Sequence, residues 1–287
     1  MRKVAVVLAL AAVAAAAVPA AGAAPDRADD RWVGTGKGLV TVGLTTDQRL
    51  VAFRTQTPGE TWNLGRITGL RGDERLVGID FRVQDKRLYG VGNRGGVYTV
   101  SSAAKAVKAS QLTVGLSGRN FGVDFNPAAD RLRVISDNGQ NLRHRLDAPG
   151  VRGATVADIA LTNSTRPPSR ATGVSGAAYT NNDLDPATGT TLFDIDTLND
   201  RVSLQYPANA GTLAPIGTLG VNAGPAAGFD IFHKPKDGTN SGFAALKTGG
   251  AYRFYRIDLL GGGTAHFVGA FPAARQVFDI ALPFKQD

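Results

Sequence analysis

Apolar residues in this chain occur in short runs of strand length, and clusters of Gly, Asn, Asp and Ser separate the runs. The clearest set has four runs in which apolar residues alternate with polar ones or follow one another directly: 76–82, 87–92, 96–101 and 106–113. Four strands joined by short turns predict one antiparallel sheet. Sets of the same kind follow at 121–161, 175–218 and 227–270. The pattern therefore predicts an all-β protein built from repeated four-stranded sheets.

The first strand of each set carries a short repeated motif, Gly-x-Asp followed by an apolar residue. Its copies lie at 78–81, 122–125 and 228–231, with a degenerate copy at 277–280 and a copy without the acid at 176–179. The third positions of successive copies are 44 to 54 residues apart. One four-stranded sheet fills that period, which is typical of the blades of a β-propeller.

The two ends of the chain complement each other. The C-terminal segment 277–282 reads as one isolated first strand, and the N-terminal part supplies three further strands at 40–45, 49–55 and 62–68. A blade made from both termini leaves no free sheet edge between the first and last blades. We therefore predict a five-bladed β-propeller closed by pairing a C-terminal strand with N-terminal strands. A sixth blade would need strands within 162–174, where the Pro-Pro-Ser centre predicts a loop.

The first residues have the features of a secretory signal peptide. Arg2 and Lys3 precede an apolar and small-residue run at 4–18, and further small residues follow. The run is shorter than the about 20 apolar residues of a membrane-spanning helix. We therefore predict three segments: a signal peptide at 1–24 removed after Ala23 or Ala24, a polar lead-in at 25–32, and a single propeller domain at 33–287. We expect a secreted, extracellular protein whose mature chain has no transmembrane anchor.

Composition narrows the possible partners. The chain has no Cys, which excludes disulfides, thiolate metal ligands and thiol nucleophiles. Its formal net charge of +8 favours anionic partners such as wall polymers. The arginines are scattered at strand starts and form no basic run, so we expect no specific nucleic-acid partner. We expect a monomer that binds an extracellular ligand, either a glycan or a protein.

Four acids of the repeated motif are the candidate ligand-binding residues: Asp80, Asp124, Asp230 and Asp279. Each lies in a predicted innermost strand, and alternation directs its side chain away from its apolar neighbours. Such carboxylates could bond backbone N–H groups or an Arg of the next blade. They could instead bind a cation or other ligand, or act as acid and base on a sugar. Repetition favours the structural use, because catalysis normally breaks the symmetry of a repeat, and ligand contact stays open.

No catalytic constellation accompanies these acids. His144, His233 and His266 lack metal-ligand spacing, and the chain has neither the Gly-x-Ser-x-Gly elbow of hydrolases nor a phosphate-binding loop. We expect no catalytic residue, no metal and no cofactor. The favoured interpretation is a binding or scaffold module associated with a cell-wall or other extracellular polymer. The alternative is an extracellular hydrolase that acts on a glycan or lactone with the axial carboxylates.

Longer motifs extend across nearly the whole mature chain. They are Val42-Gly43-Leu44-Thr45, Gly78-Ile79-Asp80-Phe81 with Arg87-Leu88-Tyr89-Gly90, Gly122-Val123-Asp124-Phe125-Asn126-Pro127 with Asp130-Arg131-Leu132-Arg133-Val134, Asn138-Gly139-Gln140-Asn141-Leu142-Arg143, and Ala178-Tyr179-Thr180-Asn181 with Asn209-Ala210-Gly211-Thr212-Leu213. Together they resemble the bacterial secreted family catalogued as domain of unknown function 4394. The resemblance implies a propeller-like extracellular protein, and it brings no established activity or catalytic residue.

Overall fold

The computed structural model describes residues 37–148, 150–185, 187–284 and 286. The predicted signal peptide, its cleavage site at Ala23 or Ala24, and the polar lead-in lie outside the described residues, as do residues 33–36 of the predicted domain. Among the described residues, no helix is long and apolar enough to cross a membrane.

Within this part of the chain, strands form five sheets, and each sheet is one blade. Blade 1 contains β1 (Val40–Thr45), β2 (Arg49–Arg54), β3 (Thr57–Arg66) and the last strand, β22 (Val277–Ala281). Blade 2 contains β4 (Leu76–Arg82), β5 (Arg87–Gly92), β6 (Gly96–Val100) and β7 (Ala106–Gln111). Blade 3 contains β8 (Phe121–Asn126), β9 (Arg131–Ser136), β10 (Asn141–Arg145) and β11 (Ala154–Ala157).

Blade 4 is larger than the others and has six strands. They are β12 (Thr162–Asn163), β13 (Ser169–Arg170), β14 (Val174–Tyr179), β15 (Leu192–Asp196), β16 (Arg201–Gln205) and β17 (Thr212–Thr218). Blade 5 contains β18 (Ala227–Lys234), β19 (Thr239–Thr248), β20 (Ala251–Ile257) and β21 (Ala265–Ala270). The innermost strands of the five blades are β22, β4, β8, β14 and β18. The predicted all-β, five-bladed propeller is confirmed.

The ring closes through blade 1. β22 pairs antiparallel with β1, with Val42 opposite Ala281 and Gly43 opposite Ile280. The C-terminal strand is therefore bonded to the N-terminal strands, as predicted. β3 begins at Thr57, earlier than the predicted 62. The Pro-Gly pair after Thr57 is a turn signal in the sequence, but β3 is an outer strand, and an edge strand tolerates Pro.

The segment 162–174 differs from the predicted loop. It contains β12 and β13, which extend the outer side of blade 4 and form no sixth blade. β12 runs parallel to β17, with Thr162 opposite Thr212. Strands of two residues carry no alternating pattern that sequence inspection could detect. Their effect is to cover the edge of β17.

The motif glycines allow the innermost strands of adjacent blades to approach closely. A Cβ atom on Gly78 would lie 2.4 Å from Cγ2 of Val123, and one on Gly122 would lie 2.7 Å from the backbone N of Ala177. Neither position has room for a side chain. Part of the repeated motif therefore has a packing cause.

Apolar side chains between the blades form the core. At the junction of blades 5 and 1, the ring of Phe53 packs edge-on against Phe254 and Phe271, with centroid distances of 5.1 and 5.2 Å. From β22, Val277 and Ile280 join the same cluster and are fully buried. Burial of each such side chain contributes ~1.5 to 3 kcal/mol. The ring is therefore closed by apolar packing as well as by hydrogen bonds.

Candidate functional site

Three of the four candidate acids form one layer at the axis of the propeller. Asp80 on β4, Asp124 on β8 and Asp230 on β18 are 5%, 1% and 2% exposed. One oxygen atom from each carboxyl group lies within 4.8 Å of the other two. Oxygen atoms at this spacing could surround one small cation, because carboxylates are preferred ligands of Ca²⁺.

Each acid in this layer also bonds the innermost strand of the next blade. The donor and acceptor atoms are Phe125 N to Asp80 Oδ2 at 2.7 Å, Tyr179 N to Asp124 Oδ1 at 3.1 Å, and Leu282 N to Asp230 Oδ2 at 2.5 Å. Asp80 and Asp230 additionally accept the N–H of the residue that follows them, at 2.6 Å. The carboxylates therefore link adjacent blades, whether or not they also contact a ligand.

Asp279 lies outside this layer, nearer to the end of the channel where the innermost strands begin. Its Oδ2 accepts the N–H of Ile79 at 2.7 Å. It packs against Gly78 and Gly228, which precede the acids of their motif copies by two residues. Asp279 is therefore one step closer to solvent along the channel than the three other acids.

The register of β22 explains this displacement. Asp80 and Asp124 accept the N–H groups of Phe125 and Tyr179, each of which directly follows the third position of its motif copy. Asp230 accepts the N–H group of Leu282. The residue of β22 that is equivalent to the three acids is therefore Ala281. The sequence alignment of 277–280 with the motif is two residues out of register, because this copy has no Gly to anchor it. Ala178 of blade 4 and Ala281 of blade 1 complete the layer without acids.

Burial raises the pKa of all four carboxyl groups. After burial, the charge of Asp230 raises the pKa of Asp80 further, and Asp80 and Asp230 do the same for Asp124. The pKa of Asp230 is about 6, because burial is partly offset by two backbone N–H donors. Like charges this close cannot all be ionised in a buried site. Burial and mutual repulsion therefore favour the protonated forms of these carboxyl groups in the absence of a cation.

A polar pocket of about 180 Å³ lies at the mouth of the channel, above the carboxylate layer. Asp279 forms part of its wall, beside Tyr252, whose pKa is raised by burial and by the charge of Asp279. Arg75 and Arg119 stand on the rim and are exposed. Within the described residues, neither guanidinium group has a hydrogen bond or an ion pair. This pocket is called the channel mouth below.

Arg75, Arg119 and Tyr252 are not among the residues predicted from the sequence. The arginines share one signal: Arg75 directly precedes β4 and Arg119 lies two residues before β8. Loops that lead into innermost strands converge on the axis of a propeller, so basic residues in two successive loops of this kind could have indicated the rim.

The fold and the axial residues define the class of protein as a five-bladed β-propeller with a carboxylate layer and a basic channel mouth. The chain belongs to the family described as domain of unknown function (DUF4394), whose family model matches residues 49–281. A search of curated proteins found no match.

Several solved structures are similar to this chain. An auxiliary nutrient binding protein from Bacteroides thetaiotaomicron has 12% identity and a TM-score of 0.43, with 73% of this chain and 57% of that chain covered. A protein from Lactobacillus plantarum has 17% identity and a TM-score of 0.43, with 83% and 69% covered. A chain of a nidogen/laminin complex has 9% identity and a TM-score of 0.48, with 87% and 100% covered. The chain spans little more than half the length of the auxiliary nutrient binding proteins, at 57% and 55%. None of these likenesses bears on its ligand.

Proposed function

We propose that this protein is a secreted binding module that holds an anionic group of an extracellular ligand at the channel mouth. The observation that carries the proposal is the pair of exposed arginines, Arg75 and Arg119, on the rim of the axial pocket. Guanidinium groups bind carboxylate, phosphate and sulfate through charge-assisted hydrogen bonds. In the described part of the chain, both groups are available for such a ligand. Asp279 and Tyr252 offer further polar contacts in the wall.

The charge of the molecule supports an anionic ligand. The net charge of +8 and the pI of about 9.9 attract anions from a distance. The raised pKa values of the axial carboxyl groups favour their neutral forms, which lowers the negative charge below the two arginines. The pocket, at about 180 Å³, is smaller than the roughly 300 Å³ or more of typical small-molecule sites. It suits one acidic unit of a polymer that lies across this face.

Secretion and association with a wall or extracellular polymer belong to the same proposal. The signal-peptide pattern at 1–24 supports export, and the absence of Cys from the chain means that folding outside the cell needs no disulfide. A propeller also suits a binding role, because its loops can vary on a rigid ring.

The hydrolase alternative has weaker support. Asp80, Asp124 and Asp230 are buried below the mouth and already accept backbone N–H groups. Paired catalytic acids of glycosidases instead flank a cleft that admits the sugar, about 5 to 10 Å apart. Among the residues that line the channel mouth, Asp279 is the only acid. Contact of all four acids with a ligand stays a prediction, and for Asp279 its position in the wall of the channel mouth supports it.

The test is a binding screen of the mature chain against anionic and neutral polymers, with the variant R75Q/R119Q. We expect binding to polyuronate or phosphate-containing wall polymers, no binding to neutral dextran, and affinity at least about tenfold lower in the variant. The matched control is R87Q/R256Q, which removes two exposed arginines elsewhere in the ring. If both variants lose affinity equally, the polymer is attracted by the net charge of the protein and not by the channel mouth. No binding to any polymer, together with turnover of a glycan or lactone, would support the hydrolase.

A further inference from the structure

A second basic site lies between blades 3 and 4, on the face opposite the channel mouth. It is a cleft of about 310 Å³ whose polar lining is Asn126, Arg131, Arg133, Arg143, Tyr179 and Asn209. Asn126 and Tyr179 end the innermost strands β8 and β14, whereas the mouth is lined by residues where innermost strands begin. The two sites are therefore separate, and we call this one the blade 3–4 cleft.

Arg133 forms the buried base of the cleft. Its side chain is 4% exposed, and it lies between two buried apolar residues of β9, Leu132 and Val134. Its guanidinium group donates to Tyr179 Oη at 3.2 Å, to Asn209 Oδ1 at 2.8 Å and to Asp158 Oδ2 at 2.8 Å. Because the group is fixed by side chains from both blades, it is held in one orientation without a ligand.

The other two arginines of the cleft keep unused donors. Arg143 donates through Nε to Asp158 Oδ1 at 2.8 Å, and among the described residues its two Nη groups have no partner. Arg131 donates through Nη1 to the backbone oxygens of Ala129 and Asp130, and its Nε and Nη2 have no partner in the same part of the chain. The carboxylate of Asp130 is not available to Arg131, because it bonds Arg82 at 2.6 and 2.7 Å.

Acids near the cleft do not balance its charge. Asp158 is one carboxylate shared by Arg133 and Arg143. Asp194, on the facing side of blade 4, is fully buried, and neither of its oxygens has a hydrogen-bond partner among the described residues. Burial raises the pKa of Asp194 well above its usual value, which favours its neutral form. Among the described residues, Asp158 is thus the only carboxylate hydrogen-bonded to the three guanidinium groups of the cleft.

The geometry points to a binding site for a tetrahedral dianion, phosphate or sulfate, either free or as the ester of a small sugar. Two guanidinium groups with unused donors, Arg131 and Arg143, suit the several oxygens of a dianion better than those of a single carboxylate. Arg131 and Arg143 approach from different points of the cleft, so their unused donors can reach several oxygens of one tetrahedral group, with the positive charge of Arg133 at the base. The neutral groups of Tyr179, Asn126 and Asn209 are placed to bond the rest of the ligand. This function goes beyond the binding proposed for the channel mouth.

The test measures binding of inorganic phosphate, sulfate and glucose 6-phosphate by calorimetry, at ionic strength held constant with chloride. R131Q and R143Q are the informative variants, because each leaves the bonds of Arg133 to Asp158, Tyr179 and Asn209 in place. We expect each to raise the dissociation constant at least about tenfold, and the double variant to abolish binding. R87Q/R256Q should bind as the unmodified protein does, and R75Q/R119Q should keep the binding that R131Q/R143Q removes. A sugar ester that binds at least as tightly as free phosphate would identify the ester as the ligand class.

Two results would overturn this inference. One is unchanged phosphate and sulfate binding in R131Q/R143Q, with melting temperatures that show the variant to be folded. The other is that phosphate and sulfate show no binding once chloride is present at constant ionic strength. Such a result would mean that the cleft attracts anions only nonspecifically. If R75Q/R119Q alone removes phosphate binding, the anion lies at the channel mouth: the cleft inference then fails and the proposed function stands. If R131Q/R143Q loses phosphate binding and the unmodified protein binds no polymer, the cleft inference stands and the proposed function fails.

Discussion

The axial carboxylate layer and the channel mouth lie a few residues apart on the same strands, yet they satisfy their polar groups in opposite ways. In the layer, Asp80, Asp124 and Asp230 are buried and bonded to the neighbouring blade. At the mouth, Arg75 and Arg119 are exposed and have no partner in the described chain. The comparison indicates that the repeated residues hold the ring together, while the unrepeated residues of the entry loops are available to a ligand.

The largest effect is expected from removing the strand that completes the axis. Deletion of 277–287 takes away β22 with Val277 and Ile280, and also Leu282 directly after it; each of the three is at most 3% exposed. The lost burial of these three side chains alone amounts to roughly 5 to 9 kcal/mol, against a total stability of roughly 5 to 15 kcal/mol. We expect an unfolded or aggregated product. A soluble deletion variant with an unchanged melting temperature would contradict closure of the ring through blade 1.

The next effect concerns pH. Unfolded Asp residues titrate near pH 4, whereas the buried axial carboxyl groups hold their protons to higher pH, Asp230 to about pH 6. Between these values the folded protein binds more protons, so its stability falls as pH rises. For Asp230 alone the loss is about 3 kcal/mol by pH 8. Urea unfolding in EDTA from pH 4 to pH 8 should show this decline. Stability that rises across the range would contradict it.

Asp124 isolates the contribution of a single acid. Among the described residues its hydrogen bond is the one from Tyr179 N to Oδ1, so D124N keeps that acceptor and removes the ionisable group. We expect D124N to exceed the unmodified protein in stability at pH 8, because burial and the neighbouring acids raise the pKa of Asp124 and make its ionisation unfavourable in the folded state. The two should be equal near pH 4. E60Q, which changes an exposed acid of β3, should have no such effect. If D124N and E60Q change stability equally, the effect is not specific to the buried axial acid.

The smallest effect on stability is expected at the channel mouth. Arg75 and Arg119 are exposed and unpartnered within the described chain, so each change to Gln should alter the free energy of unfolding by no more than about 0.5 kcal/mol. Urea unfolding of R75Q and R119Q at pH 7 measures this. A loss of about 2 kcal/mol or more would show that these arginines support the fold and would weaken their assignment to a ligand.

Much of the fold can be predicted from the sequence, because each blade repeats the same order of strands. The repeated motif locates the innermost strands within two residues, and the closure by 277–282 follows from counting strands at the two ends. β12 and β13 could not be predicted, since two-residue strands have no periodicity. The position of Asp279 could not be predicted either. Its motif copy lacks Gly, and a shift of two residues preserves the side-chain alternation.

The candidate site is less predictable than the fold. The motif points to Asp80, Asp124 and Asp230 because repetition makes them visible, but repetition marks what every blade needs. Arg75 and Arg119 occur in loops of different sequence, and Arg133 and Arg143 come together only when β9 and β10 pair. Contacts of this kind depend on three-dimensional packing. A charged residue between the apolar residues of a strand, as at Arg133, is the one sequence feature that could have indicated the blade 3–4 cleft.

The most direct test asks whether the channel mouth or the axial layer binds the ligand. One anionic polymer, polygalacturonate, is titrated into the unmodified protein, D124N and R75Q/R119Q at pH 7. If the layer is structural and the mouth binds the ligand, D124N will bind as the unmodified protein does, and R75Q/R119Q will bind at least about tenfold more weakly. If D124N loses binding while R75Q/R119Q retains it, the axial acids hold the ligand and the assignment of binding to the channel mouth is wrong.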